Sequence, residues 1–264
     1  MKYKVGFIGV GNMGGALLKA VSSSIENCKI AIYDTDREKA GKIAVENGFD
    51  YVAIETVASE SEYVFLGVKP DVVAKVAETV KSSISGSNIL VSMAAGIDIA
   101  YLENAFSTDR IIRIMPNTPV SVFEGMVLYS VGAGITTDIE LGFVSLLSGA
   151  GKLDKLDEKY MDAAAALSGC GPAFVYMFAD ALADGAVKCG LPRDKALLYA
   201  KQTIMGSGAM MLASDKHPDT LKDEVCSPGG TTIEGVITLE KGKFRYNVSS
   251  AVISAYNKTS ELKK

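Results

Sequence analysis

Short apolar runs alternate with helical or turn-rich segments through the first half of the chain. Each run has the length and the β-branched content that are typical of a buried strand. Four of the runs are Lys4–Ile8, Ile30–Tyr33, Tyr63–Val68 and Asn88–Ser92, and a further strand is expected before Arg113–Pro119. The order βαβα predicts a parallel sheet with helices packed against it.

The hydrophobic pattern changes from Leu156 onward. Long stretches rich in Ala, Leu and Met follow a period of 3.6 residues there, which predicts an all-helical C-terminal part. We expect the boundary in the small-residue and charged segment Gly149–Asp157, which gives an N-terminal dinucleotide-binding domain at 1–155 and a helical domain at 156–264. The helix predicted to start near Pro172 is apolar on all faces, so we expect at least a dimer that buries it.

A glycine-rich turn follows the first predicted strand and opens a helix. It has the pattern GxGxxG at Gly9, Gly11 and Gly14, and Asp34 ends the next strand. In a dinucleotide-binding fold these glycines allow a tight turn, close approach of the backbone to a pyrophosphate, and close packing of helix on strand. The alternatives are a glycine turn that binds nothing and the related loop of a Rossmann-like methyltransferase.

The choice between NADH and NADPH depends on two residues with opposite preferences. Asp34 is suited to accept a hydrogen bond from the ribose 2′-hydroxyl of NADH, whereas Arg37 is suited to pair with the 2′-phosphate of NADPH. We expect NADPH or NADH as the cofactor, with a slight preference for NADH.

Three more turns at strand ends are candidate ligand contacts. They are Val68-Lys69-Pro70, Ala94-Ala95-Gly96, and the proline-flanked loop containing Asn117. Ligands of an open α/β sheet bind at the carboxyl ends of its strands, which favours a cofactor role for all three. A solvated lysine and ordinary close packing are the alternatives.

A second glycine-rich segment, Ser227–Thr232, lies just before a helical pattern. Glycines at the start of a helix expose unpaired backbone N–H groups, so this segment predicts a seat for a carboxylate. The alternative is a plain loop in which Thr231 or Thr232 caps the helix.

Composition narrows the class of protein. A formal charge of −4 and the lack of a basic cluster argue against nucleic-acid binding and favour small ligands. The four cysteines show no CxxC pairing and the N-terminus does not resemble a secretory signal, so we expect a cytoplasmic protein. The uncharged stretch Ala163–Ala179 contains glycines and a proline, and we expect it to fall short of a membrane span.

Together these motifs resemble the pyrroline-5-carboxylate reductase family over essentially the whole length. The most specific match is the segment Leu221–Ile233, supported by Met115–Pro119 and Ser168–Ala173. The resemblance implies a Rossmann domain, a helical domain that interlocks into dimers and often a larger ring of dimers, and reduction of a cyclic imine carboxylate to proline. The cofactor-binding residues that we predict are Gly9, Gly11, Asn12, Met13, Gly14, Asp34, Val68, Lys69, Pro70, Ala94, Ala95, Gly96 and Asn117.

The resemblance also implies the substrate site. The backbone of Gly230 and Thr231, with Gly229 and Ser227, would hold the carboxylate, Thr232 would meet the ring nitrogen, and Glu158 would line the pocket. A protonated imine is already an electrophile, so placement matters more than acid–base chemistry, and the single histidine, His217, is interpreted as a structural turn residue. The alternatives are another dehydrogenase of a small carboxylic acid and a non-catalytic NAD(P)-sensing protein.

Overall fold

The computed structural model of this chain describes residues 1–262, which form two compact units. The first unit comprises Met1–Gly169 and the end of the last helix from Tyr256, and the second comprises Cys170–Ala255. The first unit is an α/β layer structure and the second is entirely helical over the described residues. The fold class predicted from the sequence is therefore confirmed.

The helices and strands have the following bounds. The strands are β1 (Tyr3–Ile8), β2 (Ile30–Tyr33), β3 (Asp50–Tyr51), β4 (Ser61–Leu66), β5 (Ile89–Ser92), β6 (Ile111–Met115), β7 (Gly125–Val131) and β8 (Gly151–Lys155). The helices are α1 (Asn12–Ser22), α2 (Arg37–Asn47), α3 (Ile54–Glu60), α4 (Val73–Val80), α5 (Ile99–Phe106), α6 (Thr137–Leu146), α7 (Met161–Ser168), α8 (Gly171–Lys188), α9 (Arg193–Leu212), α10 (Pro218–Val225), α11 (Thr231–Lys241) and α12 (Phe244–Leu262).

The strands form one sheet in the order β3-β2-β1-β4-β5-β6-β7-β8. All neighbouring strands are parallel except β6 and β7, which pair antiparallel with Met115 opposite Leu128. The predicted all-parallel sheet is wrong at this point. A parallel crossover needs a dozen or more residues, and only a short loop with one 3₁₀ turn, Thr118–Val122, joins these two strands.

Three strands, β3, β7 and β8, were not predicted, and one segment was assigned differently. Strand β8 lies inside Gly149–Asp157, the segment in which we expected the domain boundary, and its largely exposed residues show no apolar run. We expected Arg113–Met115 to follow the strand, but these residues belong to β6 itself. The charged side chain of Arg113 is buried within the strand.

The core of the first unit consists of two apolar clusters, one on each face of the sheet. Alternate residues of a strand point to opposite faces, so Phe7 and Phe65 pack on one face and Val64 on the other. The rings of Phe7 and Phe65 stack with their centroids 4.7 Å apart. Helices α1, α2 and α6 cover the first face, and α3, α4 and α5 cover the second. Layers of helices on both faces leave the strand ends free for ligands.

The second unit buries little apolar surface by itself. Its core cluster is built on three alanines, Ala183, Ala196 and Ala200. Large apolar side chains stay exposed, and Met177 of α8 is 72% accessible. Helix α8 begins at Gly171 with Pro172 in its first turn, as predicted from the sequence. A surface of this kind indicates an interaction site, because soluble proteins rarely leave large apolar patches uncovered.

Candidate active site

The connection from β1 to α1 is a tight turn of bare backbone. Gly9 has a φ of +96°, in the region that favours glycine, and a Cβ there would lie 2.7 Å from the carbonyl oxygen of Gly67. A Cβ on Gly14 would overlap the carbonyl oxygen of Gly9, so α1 packs closely on the turn. The N-cap of α1 is Gly11, which has no side-chain cap and open space at its Cβ position. The helix therefore begins with uncapped N–H groups, which suits a pyrophosphate. Asn12 and Met13, two of the predicted cofactor residues, are the first two residues of α1.

Asp34 connects this turn to the end of β2. Its Oδ2 accepts a hydrogen bond from the backbone N–H of Val10 at 2.8 Å, and its Oδ1 accepts one from Asp36 at 3.0 Å. The carboxylate is only partly buried, so it is oriented by backbone donors and still reaches the surface. The bond to Val10 was not predicted from the sequence, because it depends on how β1 and β2 are paired.

A cavity of about 400 Å³ lies between the ends of β1, β2 and β4. A volume of this order is typical of a small-molecule site. Five predicted cofactor residues line it, namely Gly9, Gly11, Asp34, Val68 and Lys69. The other predicted cofactor residues do not line it; they are Asn12, Met13, Gly14, Pro70, Ala94, Ala95, Gly96 and Asn117. The uncapped helix start and the open space at Gly11 fit the phosphates of a dinucleotide, and this cavity fits its adenosine end.

The loop after β5 continues the same edge of the sheet. Strand β5 is parallel to β4, so Ala94-Ala95-Gly96 follows the carboxyl end of the neighbouring strand. Gly96 has a φ of +76°, and the N–H of Ala94 donates to Ser92 Oγ at 3.3 Å. Small side chains and a glycine with positive φ leave the backbone of this loop accessible. The nicotinamide half of a cofactor would need such an accessible backbone at this edge of the sheet.

The side chain of Asn117 is engaged in protein contacts. Its Oδ1 accepts from the N–H of Met126 at 2.9 Å, and its Nδ2 donates to the carbonyl oxygen of Ser168 at 3.0 Å. The residue is almost fully buried. Asn117 therefore joins the loop after β6 to β7 and to the end of α7, and a contact to cofactor would use its backbone or its second amide hydrogen.

A charge cluster surrounds the buried Arg113 of β6, and it was not predicted from the sequence. The guanidinium of Arg113 donates to Glu158 at 3.0 Å and to Asp162 at 3.1 Å. The same Oε1 of Glu158 accepts from the N–H of Ile99 at 2.8 Å, at the start of α5. Glu158, predicted to line the substrate pocket, thus also ties α5 to β6. The available signal was a charged residue inside the apolar run Ile111–Met115.

The second glycine segment forms the turn between α10 and α11. Gly229 has a φ of +68°, and the N–H of Gly230 donates to the carbonyl oxygen of Ser227 at 3.0 Å. Helix α11 starts at Thr231 with Gly230 as its N-cap, and no side chain caps it. Neither threonine therefore serves as the cap in this structure. The first N–H groups of α11 have no intrahelical acceptor, and with the partial positive charge of the helix start they can bind a carboxylate.

The single histidine has a structural position. His217 is the N-cap of α10, and its Nδ1 accepts from the N–H of Asp219 at 3.2 Å. The hydrogen bond satisfies one of the donors at the helix start.

The apolar surface of the second unit includes a groove of about 640 Å³. Residues from α8, α11 and α12 line it, among them Phe174, Phe178 and Phe244. Among the described residues, one helical stretch, Glu158–Lys188, is apolar and long enough to span a membrane by length and composition. A short break separates its two helices, α7 and α8, at Gly169-Cys170.

A dinucleotide turn on a mixed sheet, followed in the same chain by a helical unit with a large uncovered apolar face, defines the class of NAD(P)H-dependent oxidoreductases with a helical dimerisation domain. Residues 4–96 match the family described as NADP oxidoreductase, coenzyme F420-dependent, and residues 158–262 match that described as pyrroline-5-carboxylate reductase dimerisation. The chain belongs to the pyrroline-5-carboxylate reductase family.

Individual relatives agree over the full length. The pyrroline-5-carboxylate reductase of Arabidopsis thaliana is 43% identical over 98% of this chain and 95% of the relative. That of Escherichia coli K12 is 37% identical over 100% of both chains. The crystal structure of Plasmodium falciparum pyrroline carboxylate reductase with NADP bound superposes with a TM-score of 0.89 at 33% identity, covering 100% of both chains. The resemblance inferred from the motifs is therefore confirmed, as is the expectation of NADPH or NADH as cofactor.

Proposed function

We propose that this chain reduces 1-pyrroline-5-carboxylate to L-proline with NADPH or NADH, the last step of proline biosynthesis. The observation that carries the proposal is the uncapped start of α11 behind the turn Ser227–Gly230, because it offers a carboxylate seat in the segment most specific to the family. The uncapped start of α1 supports it as the site of the cofactor phosphates.

The residues of the chain act mainly by placement. The first N–H groups of α11, beginning at Thr231, and the hydroxyl of Ser227 hold the substrate carboxylate. The N–H of Gly230 is already used in the turn, so Gly230 contributes the absence of a side chain, and Gly229 contributes the left-handed backbone. When bound, the reduced nicotinamide supplies the hydride that the imine carbon accepts.

Two residues are our candidates for the catalytic role. The hydroxyl of Thr232 orients the ring nitrogen and exchanges its proton with solvent, which adds to the larger effect of positioning. Glu158 lines the pocket in the role that the family resemblance implies, while its contact to Arg113 keeps its carboxylate oriented.

The chain forms homo-oligomers through its dimerisation domain. We propose that the apolar faces of α8 and α12 form the dimer interface and that dimers assemble into a ring. We retain the domain boundary between 155 and 156, since the dimerisation family match begins at residue 158, although α7 packs within the first compact unit.

We propose a cytoplasmic location without membrane or nucleic-acid binding. The four cysteines are free, which suits a reducing compartment. The formal charge of −4 argues against an acidic polymer as a partner. The apolar stretch around α8 is accounted for by the proposed subunit interface.

The test is the decrease in nicotinamide absorbance when the purified protein is mixed with pyrroline-5-carboxylate and NADH or NADPH. Turnover of small hydroxy acids would indicate the alternative dehydrogenase. Binding of the nucleotide without turnover of any of these substrates would indicate the NAD(P)-sensing protein. Absence of turnover with pyrroline-5-carboxylate would refute the proposal.

Replacement of Thr232 by Ala is expected to lower kcat by roughly 10- to 100-fold and to leave the dissociation constant for NADH unchanged. The matched control is Thr238→Ala, six residues along the same helix, where the hydroxyl only donates to the carbonyl oxygen of Glu234. An equal effect of both substitutions, or none from Thr232→Ala, would remove Thr232 from the mechanism.

A further inference from the structure

The turn after β2 carries two carboxylates, of which Asp34 lines the cofactor cavity and Asp36 caps α2. We infer that Asp34 makes this enzyme prefer NADH over NADPH, by accepting from the ribose 2′-hydroxyl and repelling a 2′-phosphate. The inference rests on the proposed function only in taking NAD(P)H as the reductant. It concerns a choice that the family membership leaves open.

Asp34 is held in a fixed orientation. Both of its oxygens accept from backbone N–H groups, Oδ2 from Val10 and Oδ1 from Asp36. These two hydrogen bonds fix the direction in which the carboxylate faces. The residue lines the cavity together with Gly11 and Thr35. The hydroxyl of Thr35 also donates to Oδ1 at 3.4 Å, so the acceptor position that remains for a 2′-hydroxyl is on Oδ2.

A 2′-phosphate would bring a second negative charge next to Asp34. A phosphate monoester is largely dianionic at neutral pH, so it rarely carries a proton that it could donate to the carboxylate of Asp34. Like charges brought together in a partly buried site cost several kcal/mol of binding, and so discriminate strongly. Asp34 could avoid this only by turning away, which would break its bonds to Val10 and Asp36.

Other charged residues lie near Asp34. Asp36 adds a second carboxylate, held in place because its Oδ1 caps α2 by accepting from the N–H of Lys39. Arg37 is the competing cation, and it lies exposed in the first turn of α2. Two lysines, Lys69 and Lys75, line the cavity from the β4 side of β1, whereas Asp34 lies on the β2 side. These two cations are therefore on the other side of β1 from the carboxylate of Asp34.

An aliphatic side chain, that of Ile54, forms part of the cavity wall that Asp34 also lines. Ile54, at the start of α3, lines the cavity together with Tyr33 and Thr35. Its aliphatic side chain has no donor for a phosphate oxygen. Ile54 therefore offers an apolar surface suited to an adenine and supplies no partner for a 2′-phosphate.

The experiment measures nucleotide binding and turnover separately. Dissociation constants for NADH and NADPH are obtained by nicotinamide fluorescence titration of the full-length protein, and kcat/KM is measured with pyrroline-5-carboxylate. We expect about tenfold or greater preference for NADH in both measurements. Asp34→Asn keeps an oxygen for the N–H of Val10 and removes the charge, so the preference ratio should move toward NADPH by about tenfold or more.

Glu38→Gln is the matched control. It removes one negative charge from the exposed start of α2 without lining the cavity, and should leave the ratio within about twofold. Circular dichroism and thermal melting identify a variant whose fold is damaged, and Asp34→Ser then provides a second neutral variant.

The outcomes are distinguishable. Wild-type preference for NADPH, lost by about tenfold or more in Arg37→Ala, would show an arginine clamp and overturn the inference. An unchanged ratio in folded Asp34→Asn and Asp34→Ser would overturn it as well. Selective binding of NADH without turnover of pyrroline-5-carboxylate would support the inference and refute the proposed function, whereas turnover with NADPH preferred would do the reverse.

Discussion

Gly11 allows the cofactor role of the β1–α1 turn to be tested without damage to the fold. An alanine Cβ at this position would meet no atom within 4 Å, and the φ of −63° is acceptable for any residue. Restricting the unfolded chain stabilises the variant by about 0.4–1 kcal/mol, and the poorer N-cap offsets a similar amount. We therefore expect Gly11→Ala to change the melting temperature by no more than about 2 °C.

The effect on nucleotide binding should be much larger. The added methyl group would occupy the space through which the backbone approaches the pyrophosphate. Forcing an extra methyl group into a close contact costs about 1–3 kcal/mol, which corresponds to roughly 5- to 150-fold weaker binding. The assay is fluorescence titration with NADH, beside a thermal melt of the same sample.

Substitutions at two further glycines serve as controls for Gly11→Ala. Gly41→Ala lies in α2 with nothing within 4 Å of its Cβ position, so it should bind NADH normally. Gly14→Ala would overlap the carbonyl oxygen of Gly9, so it should lower the melting temperature as well as the affinity. An unchanged dissociation constant for NADH in Gly11→Ala would refute the assignment of this turn to the cofactor phosphates.

Two other substitutions test the substrate seat and a surface ion pair. Gly230→Val would press its side chain against the hydroxyl of Ser227, and should weaken inhibition by proline by about tenfold or more with NADH binding retained; normal proline inhibition would contradict the carboxylate seat. Hydrogen bonding from Lys155, and secondarily from Tyr129, lowers the pKa of Glu140 below its usual value near 4.5. Its contribution to stability is therefore complete above pH 4.5 and lost as the pH falls through the lowered pKa, so Glu140→Gln should flatten the decline in unfolding free energy between about pH 5 and 3. Parallel declines in denaturant unfolding of wild type and variant would exclude this contribution.

The sequence predicted the elements whose signals are local. The strand Ile30–Tyr33 has the bounds expected from its apolar run, and the helix start at Pro172 follows from the preference of proline for a first turn. Strand β8 was missed because an exposed edge strand needs no apolar run. Strand β7 was also not predicted, and its antiparallel direction depends on the length of the loop after β6 and on which edge of the sheet remains open.

The candidate site divides in the same manner. The glycine turn, Asp34 and the segment Ser227–Thr232 were found because their spacing along the chain carries the chemistry. The cluster of Arg113, Glu158 and Asp162 was not found, because its members are up to 49 positions apart. The engagement of the Asn117 side chain with Met126 and Ser168 was equally invisible, since only folding brings these groups together.

The sequence by itself determined the βα order, the dinucleotide turn, the helical second half and the family, because periodicity and motif spacing depend on neighbours along the chain. Only the tertiary structure decided that Asp34 is held by the N–H of Val10, that Gly230 rather than a threonine is the N-cap of α11, and that Arg113 is buried between two carboxylates. These features arise when separate elements pack together. Hydrogen bonds and burial across such contacts are set by three-dimensional distance, which no spacing in the sequence encodes.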